Sequence, residues 1–110
     1  MACLGMILVS CGKGNEVATL SQERVYFFYQ ETCAHCHTAA EYIKEKHPQL
    51  KIKALDIKMP GNRRLFDQAA RDYGLGNMVG TPLICFGKNY IMGWGDDAPQ
   101  QFDKYAEDYK

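Results

Sequence analysis

The alternation of apolar and polar residues along the chain predicts four strands. Residues 25–29 form an unbroken β-branched and aromatic run, which is typical of a strand covered on both faces near the centre of a sheet. Residues 50–55 alternate apolar side chains with Lys, as a strand nearer a sheet edge does. Residues 83–86 and 90–94 form two further short strands, and the glycine-containing residues 87–89 between them predict a tight hairpin.

Three other segments have the periodicity of amphipathic helices. The first follows Cys36 and stops before Pro48, because proline cannot continue a helix. The second covers residues 62–74, and the third begins after Asp96 or Asp97, either of which can cap it. The predicted order is β-α-β-α-β-β-α. The first β-α-β unit is expected to have parallel strands joined by a right-handed crossover.

Length and composition indicate one small globular domain. A chain of 110 residues with 46% hydrophobic content is long enough for one core and too short for two. Acidic and basic side chains balance at 13 each, so the overall charge favours neither nucleic acid nor an anionic membrane as a partner. We expect a monomer without a nucleic-acid partner.

The N-terminal residues have a different character from the rest. Residues 1–11 are an apolar run, too short to span a bilayer, which needs about 20 apolar residues. Leu8-Val9-Ser10-Cys11 resembles a lipobox, which implies lipidation at Cys11 and anchoring in the bacterial cell envelope or periplasm. Because no Lys or Arg precedes the run, a cytoplasmic location stays open. We predict a lipoprotein-type leader and flexible tether over residues 1–20, and a folded domain over residues 21–110.

The main chemical motif is Cys33-Ala34-His35-Cys36, which directly follows the first strand and opens the first helix. With Thr32 as the predicted N-cap, Cys33 lies where unpaired backbone N–H groups and the helix dipole stabilise a thiolate. His35 can donate to the same sulfur or add positive charge. We predict that Cys33 attacks a disulfide and that the less exposed Cys36 resolves the mixed disulfide.

Three features occur together in this order: the Cys-x-x-Cys after an aromatic strand, Gly80-Thr81-Pro82 before another strand, and a closing hairpin and helix. The combination resembles the thioredoxin superfamily over residues 22–110. The resemblance implies a thioredoxin-like, glutaredoxin-like α/β fold, in which a four-stranded mixed sheet carries helices on both faces. It also implies a cis Pro82 against the cysteine pair, and a Thr81 backbone that pairs with an extended substrate.

Two branches of the superfamily share features with the chain. Gly93-Trp94-Gly95-Asp96-Asp97 resembles the glutaredoxin segment that binds glutathione, which makes Asp96 and Asp97 candidate glutathione ligands. Val79-Gly80-Thr81-Pro82 and the His of the motif resemble envelope disulfide oxidoreductases. The resemblance implies no bound cofactor or metal, and protein thiols, protein disulfides or glutathione as partners. The residues are compatible with an oxidant, an isomerase or a reductase.

Other chemistries use the same motif. Cys33-x-x-Cys36-His37 satisfies the pattern for covalent c-type haem attachment in an electron-transfer lipoprotein. A zinc site needs two more ligands, for which His47 and Cys85 are the candidates. A structural disulfide and a non-catalytic module that docks a partner at Thr81-Pro82 are further alternatives. Cys85 itself, in the middle of a strand, is interpreted as an inert core thiol.

Overall fold

The computed structural model describes residue 20 and residues 24–109. The predicted lipidation site Cys11 lies outside the described residues, as does nearly all of the predicted leader and tether. No helix within the described part of the chain combines the length and the apolar character that crossing a membrane requires.

The predicted order β-α-β-α-β-β-α is confirmed. The strands are β1 Val25–Tyr29, β2 Ile52–Asp56, β3 Leu83–Phe86 and β4 Asn89–Met92. The helices are α1 Ala34–Lys46, α2 Pro60–Asp72 and α3 Ala98–Ala106, with single 3-10 turns at Gly76–Met78 and Glu107–Tyr109.

The strands form one mixed sheet in the order β2-β1-β3-β4. β1 pairs in parallel with β2 and antiparallel with β3, which in turn pairs antiparallel with β4. β1 is therefore a central strand, as its unbroken apolar run predicts. β2 lies at an edge, as its alternation with Lys predicts.

Helices cover both faces of the sheet. On one face, α1 and α3 pack against alternate strand residues that include Val25 and Phe27. On the other face, α2 packs through Phe66 and Ala69 against the side chains that point the opposite way, such as Phe28. A fully buried aromatic side chain contributes about 2 kcal/mol, so the two layers together fix the position of β1.

Three element boundaries differ from the predictions. β2 begins two residues late because the Leu50 N–H donates to the His47 carbonyl, 3.1 Å away, in the turn after α1. α2 begins at Pro60 rather than near residue 62. Proline is tolerated there because the N–H groups of the first helical turn have no partner within the helix, so the missing N–H costs no hydrogen bond. β4 is Asn89–Met92 rather than residues 90–94, because Phe86 pairs with Asn89 across a two-residue turn.

A polar contact joins α1 to α3. Asp103 of α3 accepts hydrogen bonds from the Tyr42 hydroxyl at 2.7 and 2.9 Å, and its Oδ1 lies 2.7 Å from His47 Nε2. The His47 ring packs 5.0 Å from the Phe102 ring, centroid to centroid. From its place just before Pro48 at the end of a helix, His47 is expected at the surface, but its side chain is only 10% exposed, so that prediction is wrong. This contact holds the C-terminal end of the helix that begins at Cys33.

We expect Asp103→Ala to lower the free energy of unfolding by about 1 kcal/mol, since Tyr42 and His47 each lose a charged acceptor while Asp103 itself is half exposed. Urea denaturation at pH 6 and pH 7 measures the loss. Asp108→Ala is the control, because exposed Asp108 has no salt bridge among the described residues. Equal stability of the two variants would contradict a stabilising role of the contact.

Candidate functional site

The N-terminus of α1 begins directly after the turn that leaves β1. Cys33, with φ −92° and ψ 108°, is the N-cap, and its Sγ accepts a hydrogen bond from the Cys36 N–H at 3.1 Å. The prediction of Thr32 as the cap is wrong, because the sulfur itself takes the place of the usual oxygen acceptor. Cys33 N–H donates to the Gln30 carbonyl at 3.1 Å, which closes the turn. The first turn of the helix therefore directs the Cys36 N–H at the first cysteine.

Cys33 and Cys36 form a disulfide, with their Cα atoms 5.2 Å apart. Cys33 is half-buried, whereas Cys36 is 2% exposed and packs into the core beneath α1. This difference in exposure is the one that an attacking and a resolving cysteine need. The assignment of the two roles stays a prediction.

Thr81 and Pro82 lie against the disulfide. The Thr81–Pro82 peptide bond is cis, the isomer that the sequence resemblance implies, and Pro82 is fully buried. Cys33 Sγ is 3.6 Å from the Thr81 carbonyl oxygen. Gln30 Nε2 donates to Thr81 Oγ1 at 3.3 Å, so the end of β1 and the start of β3 are joined here. The fold thus brings together residues about half the chain apart.

Among residues 24–109, neither His35 nor His37 is hydrogen-bonded to a sulfur atom of the cysteine pair. His35 is exposed, and within residues 24–109 no hydrogen bond joins it to Cys33, so the predicted donation to the sulfur is absent from the geometry. His37 Nε2 donates to the Glu31 carbonyl at 2.7 Å. The haem alternative, which uses His37 as an iron ligand, stays an untested prediction.

His47 and Cys85, the two candidate zinc ligands, belong to no cluster of metal-binding side chains among the described residues. Among the described residues, no group of three or more His, Cys, Asp or Glu side chains is arranged to hold a metal ion. His47 is bonded to Asp103, and Cys85 is buried in β3.

Asp96 and Asp97 are exposed at the start of α3. Asp97 is the N-cap residue, but its side chain accepts no hydrogen bond from the helix, so the predicted side-chain cap is wrong. Gly93, with φ 84°, donates its N–H to the Pro82 carbonyl at 2.8 Å. This bond holds the segment before α3 at the same end of the sheet as the disulfide, and a residue with a Cβ would be strained at that φ.

A groove that sequence reasoning missed opens beside Thr81. It has a volume of about 510 Å³ and lies between α2 and the loop that leads to β3. Its polar lining includes Gln30, Arg63, Asp67, Arg71 and Thr81. The helical periodicity of α2 assigns its arginines only to the outer face, and their closeness to Thr81 depends on the path of the loop over residues 74–81.

Cys85 is the one free cysteine that the described residues contain. Burial raises the pKa of its thiol to about 12, although a hydrogen bond from Tyr73 partly opposes the effect. The nucleophilic thiolate is therefore almost absent near neutral pH, and the interpretation of Cys85 as an inert core thiol agrees with this environment.

Comparisons with known proteins bear on the fold. No protein-family model matches the chain, and no curated protein matches it by sequence. A buckwheat glutaredoxin solved in complex with glutathione is 10% identical, with 93% of this chain and 87% of that chain covered and a TM-score of 0.58. A mutant of a thioredoxin-like protein is 22% identical, with coverages of 71% and 96% and a TM-score of 0.47. Arabidopsis thaliana thioredoxin O2 in its oxidized state is 19% identical, with coverages of 90% and 89% and a TM-score of 0.47.

The chain has the thioredoxin-like fold. The glutaredoxin structure matches it over nearly the whole length of both chains. The four-stranded mixed sheet, the helices on both faces and the Cys33–Cys36 disulfide at the start of α1 are the features that define this class of structure here.

We expect Cys85 to resist iodoacetamide at pH 8 in the native protein. With a pKa of about 12, only about one thiol in ten thousand is ionised at that pH, and the side chain is 1% exposed. Peptide mass spectrometry after a timed pulse measures the modification. The same pulse in denaturant is the control, because unfolding restores both access and an ordinary pKa. Fast native labelling of Cys85 would contradict the assignment.

Proposed function

We propose that the protein is a thiol-disulfide oxidoreductase that exchanges two electrons between the Cys33–Cys36 pair and disulfides or thiols of its substrates. The observation that carries the proposal is the position of this disulfide, at the N-terminus of α1 and 3.6 Å from the Thr81 carbonyl oxygen. A disulfide that served only to stabilise the fold would not need an accessible sulfur beside a free backbone edge.

The proposed reaction begins from the reduced pair. The Cys33 thiolate attacks one sulfur of a substrate disulfide, which forms a mixed disulfide and releases the other substrate sulfur as a thiolate. The Cys36 thiol then attacks Cys33 Sγ, and its proton passes to the substrate thiolate that departs. This step releases the second substrate thiol and leaves the Cys33–Cys36 disulfide, so two electrons have moved to the substrate. A thiol or dithiol reductant regenerates the pair, and the same steps run in reverse when the protein is an oxidant.

The geometry around Cys33 supports its role as the attacking group. The Cys36 N–H that now donates to Cys33 Sγ at 3.1 Å is available to a thiolate at the same place. The N-terminal end of α1, a helix of 13 residues, adds a favourable dipole. Stabilising the thiolate stabilises the reduced form, which makes the disulfide more oxidising.

The substrates in this proposal are protein disulfides, with glutathione as the alternative. Within the described residues, the N–H groups of Gly80 and Thr81 have no acceptor, so they are available to an extended substrate segment. The glutathione alternative is supported by the solved glutaredoxin, whose crystals contain that tripeptide, and by the exposed Asp96 and Asp97 at the same end of the sheet. The lipobox-like sequence ending at Cys11 supports a site of action in the bacterial cell envelope.

Measuring the reduction potential tests the proposal. We expect a reversible two-electron couple when the protein is equilibrated in glutathione buffers and its free thiols are assigned by alkylation and peptide mass. A potential near about −120 mV identifies a disulfide donor, and one near about −270 mV a reductase. The absence of any reversible couple at Cys33 and Cys36 would contradict the proposal.

Three cysteine variants separate an enzyme from a docking module. We expect Cys33→Ser to abolish disulfide reduction, and Cys36→Ser to trap a mixed disulfide through Cys33, because the resolving thiol is missing. Cys85→Ala is the control and retains activity once its folding is verified by circular dichroism, since Cys85 takes no part in the exchange. The measurement is reduction of a protein disulfide by a coupled thiol assay. If Cys33→Ser retained full activity, Cys33 would not be the nucleophile.

A further inference from the structure

The groove between α2 and the loop before β3 is connected to the disulfide through Thr81. Gln30 and Thr81 line its inner end, and Thr81 is the residue whose carbonyl lies 3.6 Å from Cys33 Sγ. Arg63 and Arg71 line its α2 side, with Asp67 between them in the sequence. A substrate segment that extends from Cys33 past Thr81 along the groove therefore meets the arginines that line it.

The groove carries more positive than negative charge. Arg63 donates through Nε to Asp67 Oδ1 at 3.3 Å and lies 5.7 Å from the centroid of the Phe66 ring. Arg71 donates to the Gln68 side-chain oxygen at 2.9 Å. Within residues 24–109 no carboxylate forms a salt bridge with Arg71. Arg71 is therefore the uncompensated cation of the groove, and a carboxylate is the ligand that its guanidinium suits best.

The outer wall of the groove favours a polypeptide ligand. Asn77 and Val79 line it, and Met78 between them is 80% exposed. A flexible, apolar methionine side chain is well suited to contact varied protein surfaces. The free N–H groups of Gly80 and Thr81 offer backbone pairing to an extended chain at the inner end.

We propose that this groove selects protein substrates whose disulfide lies in an extended segment with an Asp or Glu near the reacting cysteine, and that Arg71 binds that carboxylate. The inference rests on the proposed function, because it concerns the substrate class of the same site. Arg71 acts in recognition of the substrate and not in the exchange of electrons.

The experiment compares peptides that contain one intermolecular disulfide and differ only in Glu, Gln or Lys at one position a few residues from the cysteine, because Arg71 lies two helical turns beyond Arg63 in the groove. We expect the kcat/KM of the Glu peptide to be about threefold to fivefold above that of the Gln peptide, which is the size of effect that an exposed charge pair gives. The kcat/KM of the Lys peptide is expected to be below that of the Gln peptide. Arg71→Gln removes the preference for Glu, and Arg71→Glu reverses it in favour of Lys. Added salt weakens the preference, because it screens exposed charges.

Arg64→Gln is the matched control, since Arg64 is exposed on the same helix and does not line the groove. It keeps the wild-type preference. Wild-type activity on all peptides without any dependence on charge would overturn the inference while leaving the proposed function in place. Inactivity toward every disulfide would instead overturn the proposed function. If Arg71→Gln lowered the activity toward a glutathione mixed disulfide more than the activity toward the Glu peptide, the groove would bind glutathione. That result would overturn the assignment of a protein ligand.

Discussion

The burial of β1 on both faces is the constraint on which the rest of the structure depends. Its side chains alternate between two separate cores, so Phe27 faces α1 and α3 while Phe28 faces α2. A strand with an apolar side chain at every position cannot lie at an edge or with one face in water, because either place would expose part of the run. Both crossovers must therefore place a helix against β1. The carboxyl end of this strand, at Tyr29, is consequently fixed by two layers, and the disulfide lies one short turn beyond it.

This rigid support gives the site its chemistry. The Gln30 carbonyl accepts the Cys33 N–H, and Cys33 Sγ then takes the position of a helix cap, where the Cys36 N–H points at it. The N-terminal end of α1 and its dipole favour an anion over a neutral group at that position. Cys85, in contrast, lies within β3 between the same layers and away from any helix N-terminus, and burial raises the pKa of its thiol. Two cysteines of similar burial, Cys36 and Cys85, thus differ because only Cys36 lies beside another cysteine, at the start of a helix.

The parts of the fold that depend on local pattern could be predicted from the sequence, and the parts that depend on distant contacts could not. The five residues of β1, its central place and the edge position of β2 follow from side-chain periodicity alone. The cap was misassigned because a threonine is the more common cap, and nothing local indicates that sulfur replaces it. The burial of His47 was missed for another reason: its partner Asp103 lies 56 residues away, and the sequence does not indicate which helices meet.

The same limit explains why the substrate side of the site was invisible before the fold was known. Gln30 and Thr81 are 51 residues apart, and their hydrogen bond exists only because β1 and β3 are antiparallel neighbours. That pairing brings the loop before β3 over the carboxyl end of β1, between the disulfide and α2. Arg71 lines the same groove as Thr81, although it lies on a helix whose buried stripe, Phe66, Ala69 and Ala70, gives no sign of chemistry. In the proposed function, electron exchange depends on residues close together in the sequence, whereas substrate choice depends on contacts that the sheet topology creates. The two can vary independently on the same fold.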